Sequence, residues 1–323
     1  MITFAARMDL ATHRRRVSVA GVAVSHQSIF ALSNSRKSLL IKLPALVNWR
    51  AMPTSERGPE QQGTVRKPYS DILSAEIAQG LQELRRDAGG LLLSGLSAGM
   101  DIGFSLLLMA AMLTAVGGEF PAGLVRILLA HMYAVGFILV VLGRSELFTE
   151  HTALAVFPVL SGEASLASLG RLWGLVYVAN IVGAAAFAGL TVVVGPGLGV
   201  IAPEALGEIA RSLVEHRWWI IFLSGLLAGW MMGLLSWLLS AARDTISQIF
   251  VVWIVTASIG FGQLHHSILG TVEVLAGVFS RQGVTLADYG HFILWATVGN
   301  ALGGVIFVAL IKYSHAVRRE NSR

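Results

Sequence analysis

The sequence predicts an all-α polytopic membrane protein: six transmembrane helices in two inverted three-helix repeats, with helices 2 and 5 broken. Three observations carry this. Of 323 residues, 54% are hydrophobic and 13% charged, mean hydropathy is +0.68, and several apolar runs reach the roughly 20 residues that cross a bilayer core. Two of those runs are interrupted by polar stretches, GRSELFTEHT at 143–152 and GFGQLHHS at 260–267. The two halves of the chain also repeat each other.

The elements follow in order. Residues 1–70 read as a basic, disordered cytoplasmic leader. Arg14, Arg15 and Arg16 precede no apolar h-region or cleavage site, so it is not a signal peptide, and the polar segment opening at Met52 makes that residue an alternative start. In 71–89, Ile72, Leu73, Ile77, Leu81 and Leu84 fall at helical spacing, which predicts an amphipathic helix on the inner membrane surface. Residues 90–195 hold the first repeat, with spans at 90–115, from Pro121 through the first break to Leu160, and at 172–195. A linker covers 196–216. Residues 217–312 hold the second repeat, with spans at 217–240, 245–279 around the second break, and 291–312. A basic tail, 313–323, closes the chain. Of 24 Lys and Arg, 13 lie before residue 88 and four after residue 311. That tail charge places both termini in the cytoplasm and makes a nucleic-acid partner unnecessary. Cysteine is absent, which excludes disulfides, a thiol nucleophile and Cys-ligated metals.

LSGLSAG at 93–99 matches LSGLLAG at 223–229, and Asn180…Gly183 matches Asn300…Gly303. Thr149 and Ser267 obey nearly the same shift. Three spans per repeat is an odd number, so the second copy is inverted, as in transporters and channels whose site lies at the midplane. Gly95, Gly99, Gly225 and Gly229 read first as close helix packing, and Asn180 and Asn300 as interhelical hydrogen-bond partners.

Irregular backbone survives at membrane depth only inside protein or beside a water-filled cavity. Two half-helices therefore start near the midplane, each presenting backbone N–H groups and a positive dipole end that attract an anion. Thr149 and Ser267 suit the N-cap positions, where a hydroxyl also meets a passing oxyanion. His265 and His266 lie in the second break, and imidazole exchanges protons near neutral pH. An ionisable residue at this depth is functional by default, and His266 is the stronger of the two. A weak acid crosses a low-dielectric constriction more cheaply as the neutral form. Leu147 and Phe148 offer an apolar gate. Glu146 and Arg144 are loop charges, two apart, that pair with loop backbone or elsewhere. His131 faces a neighbouring helix, and Asp101 and Glu273 have no assigned partner.

These motifs resemble the formate/nitrite transporter family. The resemblance rests on GRSELFTEHT, WGLVYVANIVGA at 173–184, SGLLAGW at 224–230, HHSILG at 265–270 and TVGNALGG at 297–304, in family order over about 70–315. It implies an aquaporin-like six-helix protomer with its own pore, a homopentamer, and passage of small monovalent anions such as formate or nitrite, with or without a proton. It further implies Leu147 and Phe148 as the constriction, Thr149 as the pore threonine, Glu146 as the loop acid and His266 as the central histidine. The sequence departs from the family at His265, where Glu is usual, at Gly229 and Gly270, where Asn is usual, and in a loop before His266 about three residues longer. His216 and Arg217 stand near a position where a basic residue is usual.

Other readings fit parts of the pattern. A neutral-solute channel of ammonia or water type shares the architecture, though the Asn-Pro-Ala elements of water channels are missing from both breaks. A non-transporting membrane scaffold keeps the fold without the pore. An intramembrane metalloenzyme using His131, His151, His265 and His266 lacks the His-Glu-x-x-His spacing. The expectation is thus a non-enzymatic anion channel of the bacterial inner membrane, with no cofactor, no metal, the lipid bilayer as solvent, and a central pore histidine.

Overall fold

The computed structural model describes residues 66–320. The leader up to residue 65, with the alternative start at Met52, and residues 321–323 lie outside the described residues. Every regular element among the described residues is helical. In order these are α1 (Tyr69–Arg85), α2 (Ala88–Asp101), α3 (Gly103–Val116), α4 (Ala122–Gly143), α5 (Phe148–Leu154), α6 (Phe157–Leu160), α7 (Leu166–Gly197), α8 (Pro203–Val214), α9 (Trp218–Ala241), α10 (Thr245–Phe261), α11 (Ser267–Phe279), α12 (Leu286–Leu302) and α13 (Ile311–Glu320). A π-helical segment, Gly303–Leu310, joins α12 to α13. Five helical stretches are long and apolar enough to cross a membrane: Ala88–Val116, Ala122–Gly143, Leu166–Gly197, Trp218–Ala241 and Leu286–Ala316.

Local chemistry sets the ends. Asp87 accepts from the Gly90 amide at 2.8 Å to cap α2, and Asp244 accepts from Ser247 at 2.9 Å to cap α10. A Thr285–Asp288 capping box starts α12. The Ser165–Ser168 capping box starts α7 six residues before the expected 172. The chain after the first break does not run unbroken to Leu160. It turns at Ala155–Val156, and Pro158, which has no N–H to give an earlier carbonyl, sits in the first turn of α6. The stretch expected as a linker, 196–216, carries α8, led in by Pro203 and buried along Ala205, Leu206, Ile209, Ala210 and Leu213. The expected tail continues as helix through Glu320.

α2 packs along α7 and α9 along α12, while α4 runs against α10. Glycines permit the first two contacts. Gly99 faces the Asn180 backbone and Gly229 the Asn300 backbone, so closely that a Cβ at either position would overlap main-chain atoms.

The apolar face of α1, expected to lie on the bilayer, is buried instead at Ile72, Leu73, Ile77 and Leu84, against α6 and α9. Lys67 Nζ donates to two carbonyls at the end of α9, Ser240 O at 2.7 Å and, just past the helix, Ala242 O at 3.0 Å. Glu76 is fully buried and accepts from the hydroxyls of Ser236, at 2.9 Å, and Ser240. Burial raises the Glu76 pKa from its ordinary 4.5 to about 7.

Two outcomes follow from this packing. Gly229→Ala lowers the thermal midpoint of the purified protein in detergent, by the 1–3 kcal/mol order typical of overpacking, whereas Gly123→Ala, with no neighbour within 4 Å, leaves it in place. Glu76 has a raised folded pKa, so its contribution is complete below about pH 4.5 and is lost as pH rises through about 7. The wild-type midpoint should fall between pH 5 and 8 relative to Glu76→Gln; parallel curves for the two proteins would contradict this.

Candidate functional site

The two breaks have one backbone design. Each preceding helix is followed by a left-handed residue, Arg144 (φ 56) directly after α4 and Gln263 (φ 50) two residues after α10. Ser145 N then donates back to Val140 O at 3.1 Å, and Leu264 N to Ile259 O at 3.1 Å. Glu146 N donates to Ser94 Oγ at 3.1 Å, and His265 N to Ser224 Oγ at 3.0 Å. The first amide of each half-helix donates to an asparagine: Phe148 N to Asn180 Oδ1 and Ser267 N to Asn300 Oδ1, both 2.8 Å. Each asparagine Nδ2 donates twice more, Asn180 to Gly95 O (2.8 Å) and Glu146 O (2.9 Å), Asn300 to Gly225 O (2.8 Å) and His265 O (2.9 Å). Both asparagines are fully buried.

This register pairs Ser267 with Phe148, not with Thr149, and corrects the sequence expectation by one residue. The N-caps are Leu147 and His266, so neither Thr149 nor Ser267 is a cap. The expected row of free amides is also shorter. Phe148 N and Ser267 N are held by asparagine, and Leu269 N donates to His266 Nδ1 at 3.1 Å. The amides of Thr149 and Ile268 take no part in these bonds.

His266 lies at the junction. With Nδ1 accepting from Leu269, the ring proton belongs on Nε2, which lies 2.8 Å from Thr149 Oγ1. One hydrogen bond thus ties the start of α11 to the start of α5. It leaves the Thr149 hydroxyl hydrogen for another acceptor, and the buried Ser267 Oγ has no partner among the described residues. The rings of Phe137 and His266 meet nearly at right angles, their centroids 5.0 Å apart. Leu147 is 0% exposed and Phe148 5%, the latter flanked by Tyr177 at 4.9 Å and Trp173 at 6.0 Å.

Two cavities approach this layer without sharing a lining residue. One, about 640 Å³, reaches Val141, Arg144, Glu146, Glu150 and His151. The other, about 700 Å³, reaches Tyr133, Leu264 and Glu273. Along α4 the step from Tyr133 to Val141 is eight residues, on the order of 12 Å, with Phe137 midway. Phe137, Leu147, Phe148, Thr149, His266 and Ser267 line neither cavity, and the Phe137–His266 and His266–Thr149 contacts tie them into a buried layer, the floor.

The remaining expected residues fall outside that floor. The His265 ring bonds Ser224 Oγ through Nδ1 at 2.8 Å and Leu213 O through Nε2 at 3.0 Å, which fastens the second break to α8 and α9. Glu146 bonds Arg86, which also holds Glu83 at 2.9 Å, and meets His151 Nε2 at 2.7 Å. Glu83, Glu146 and His151 are close enough together to hold a metal ion, but the Arg86 guanidinium already bridges the two carboxylates. Arg144 closes α4 at the rim of the first cavity. Asp101 accepts from Ser97 and Ser145 hydroxyls, each at 3.0 Å, and so braces the first break. His131 faces α10 as expected, its ring 5.4 Å from that of Trp253, with Nδ1 2.7 Å from Ile127 O of its own helix. Sequence reasoning missed the serine braces Ser94 and Ser224, although both stand in the repeated Leu-Ser-Gly motif. It also missed Arg86 as the partner of Glu146.

The chain matches the family described as Formate/nitrite transporter over residues 70–314. It is 32% identical over 250 residues to the inner membrane protein YfdC of Escherichia coli (strain K12), covering 75% of this chain and 76% of that one. A solved FNT family ion channel superposes with TM-score 0.68 at 23% identity, covering 76% of this chain and 99% of that one. A pentameric formate channel with formate bound superposes with TM-score 0.60 at 22% identity, covering 71% and 98%.

Asn300→Ala would strand the Ser267 amide and two carbonyls in a buried site, at roughly 1–3 kcal/mol for each unsatisfied group. We expect loss of folded protein on size-exclusion chromatography, and the same for Asn180→Ala. Normal elution and an unchanged melting curve for either variant would show that the breaks hold without the asparagines.

Proposed function

Because the chain belongs to the formate/nitrite transporter family, we propose that it is a multi-pass inner-membrane channel passing small monovalent anions such as formate or nitrite. Each protomer carries six spans in two inverted repeats, the fifth span being α10 and α11 with the break between them, and five protomers assemble. Both termini face the cytoplasm. The observation that carries the reading is the 2.8 Å bond from His266 to Thr149, which joins the two half-helix starts in the floor between two cavities.

The mechanism follows from what that floor contains. Leu147, Phe148 and Phe137 exclude water, so an anion left charged would lose its hydration there without replacement. Against this stand only neutral donors: the hydroxyls of Thr149 and Ser267, the early half-helix amides and the imidazole of His266. These orient an oxyanion through hydrogen bonds, and two helix starts add a positive field. Proton exchange at His266 lets a weak acid pass the apolar layer in neutral form. Arg144, Arg86 and Glu146 set the field at the rim of the first cavity, while His265 keeps the second break in shape.

Flux of formate, nitrite and chloride into proteoliposomes from pH 5 to 8 tests this with wild type and His266→Ala. We expect saturable formate or nitrite flux whose pH dependence is flattened by the substitution. Flux unaltered by His266→Ala would remove the proton step and leave the channel. Folded oligomer that moves ammonia but none of the anions would replace the anion reading with the neutral-solute one.

A further inference from the structure

Glu273 lies two turns into α11, on the Tyr133 side of the floor. Its side chain is 4% exposed and lines the 700 Å³ cavity, yet it makes no hydrogen bond or ion pair with any described residue. The hydroxyl of Tyr133, lining the same cavity, is buried and equally without a partner. The other charged side chains around the cavity are Arg126 of α4 and Glu204 and Glu208 of α8. This mouth therefore holds three carboxyl groups and one guanidinium, which is a poor reception for a bare anion.

Resting on the reading above, we propose that Glu273 is a proton-sharing specificity residue that admits an anion to this side of the pore only together with one proton. Two like charges at contact distance in a poorly solvated wall repel strongly. A single proton between them removes the conflict. The proton comes from bulk water and forms one O–H bond, giving Glu273–COOH against A⁻ or Glu273–COO⁻ against HA; the Tyr133 hydroxyl donates a second hydrogen bond to the same oxyanion. Departure as HA breaks the O–H bond at Glu273, restores the carboxylate and carries the proton with the substrate. The site thereby selects for conjugate bases of weak acids. Chloride cannot hold a proton in water and has no means of sharing one with Glu273.

The test is flux of formate and of chloride in proteoliposomes of the full chain, with an internal pH dye, for wild type and Glu273→Gln. Wild type is expected to take up about one proton per formate. Glu273→Gln, isosteric and neutral, is expected to lower formate flux, break the proton stoichiometry and raise the chloride-to-formate ratio by about tenfold, which corresponds to 1.4 kcal/mol. Wild-type formate uptake without protons would overturn the proposal whether or not the variant folds. So would a Glu273→Gln protein with unchanged ratio and stoichiometry, and in both cases the anion-channel reading survives. Absence of any anion flux in the wild type would instead sink that reading, and the proposal with it.

Discussion

Backbone polar groups released in the middle of an apolar fold must find partners, and the rest of this structure depends on how that is done. Each break frees an amide and a carbonyl that lipid cannot satisfy. One buried asparagine per break supplies three bonds: it accepts from the first amide of the half-helix and donates to a loop carbonyl and to a carbonyl of the neighbouring long helix. The asparagine reaches only because the helices touch at glycine. Gly95 and Gly99 bring α2 against α7 at Asn180, and Gly225 and Gly229 bring α9 against α12 at Asn300. Close packing and loop geometry are thus one constraint, and the placement of His266 and Thr149 follows from it.

Charge is sorted around the floor accordingly. Apart from the His266 imidazole, its side chains are apolar or carry only a hydroxyl, while the other charged groups line the cavities: Arg86, Glu83, Glu146 and His151 in one, Arg126, Glu204, Glu208 and Glu273 in the other. On the first side, acids and bases neutralise one another, through the Arg86 bridge and the Glu146–His151 contact. On the second they do not.

Much of this was legible in the sequence, for identifiable reasons. Polar stretches at 143–152 and 260–267 betray the breaks because polar, irregular backbone inside an apolar run cannot face lipid. Asn180 and Asn300 stand out because an amide is rare in an apolar run without a partner. The N-caps were not legible. A hydroxyl is the usual cap, but at Leu147 no side-chain cap bond forms, and in the second loop the His266 ring takes the role. The one-residue register follows from that substitution. The partner of Glu146 could not be named from the sequence because Arg86 lies sixty positions earlier and no periodicity points to it. α8 was absorbed into a linker, although Ala205, Leu206, Ile209, Ala210 and Leu213 already form a helical stripe.

The two halves diverge where the shared scaffold leaves a side chain free. Glu146 and His265 occupy the same step of their loops, one after a left-handed residue and its successor, each with its amide on a serine. The first reaches outward to α1 through Arg86; the second reaches α8 through the Leu213 carbonyl. Each break is therefore braced from its own side by an amphipathic helix that is not part of the long packed pairs. The first brace is ionic and weakens if either charge is lost or screened. The second is a neutral hydrogen bond inside an apolar contact, which salt leaves alone. Two loops of like backbone have in this way acquired different surroundings, and the difference lies in the helices that cover the loops as much as in the loops themselves.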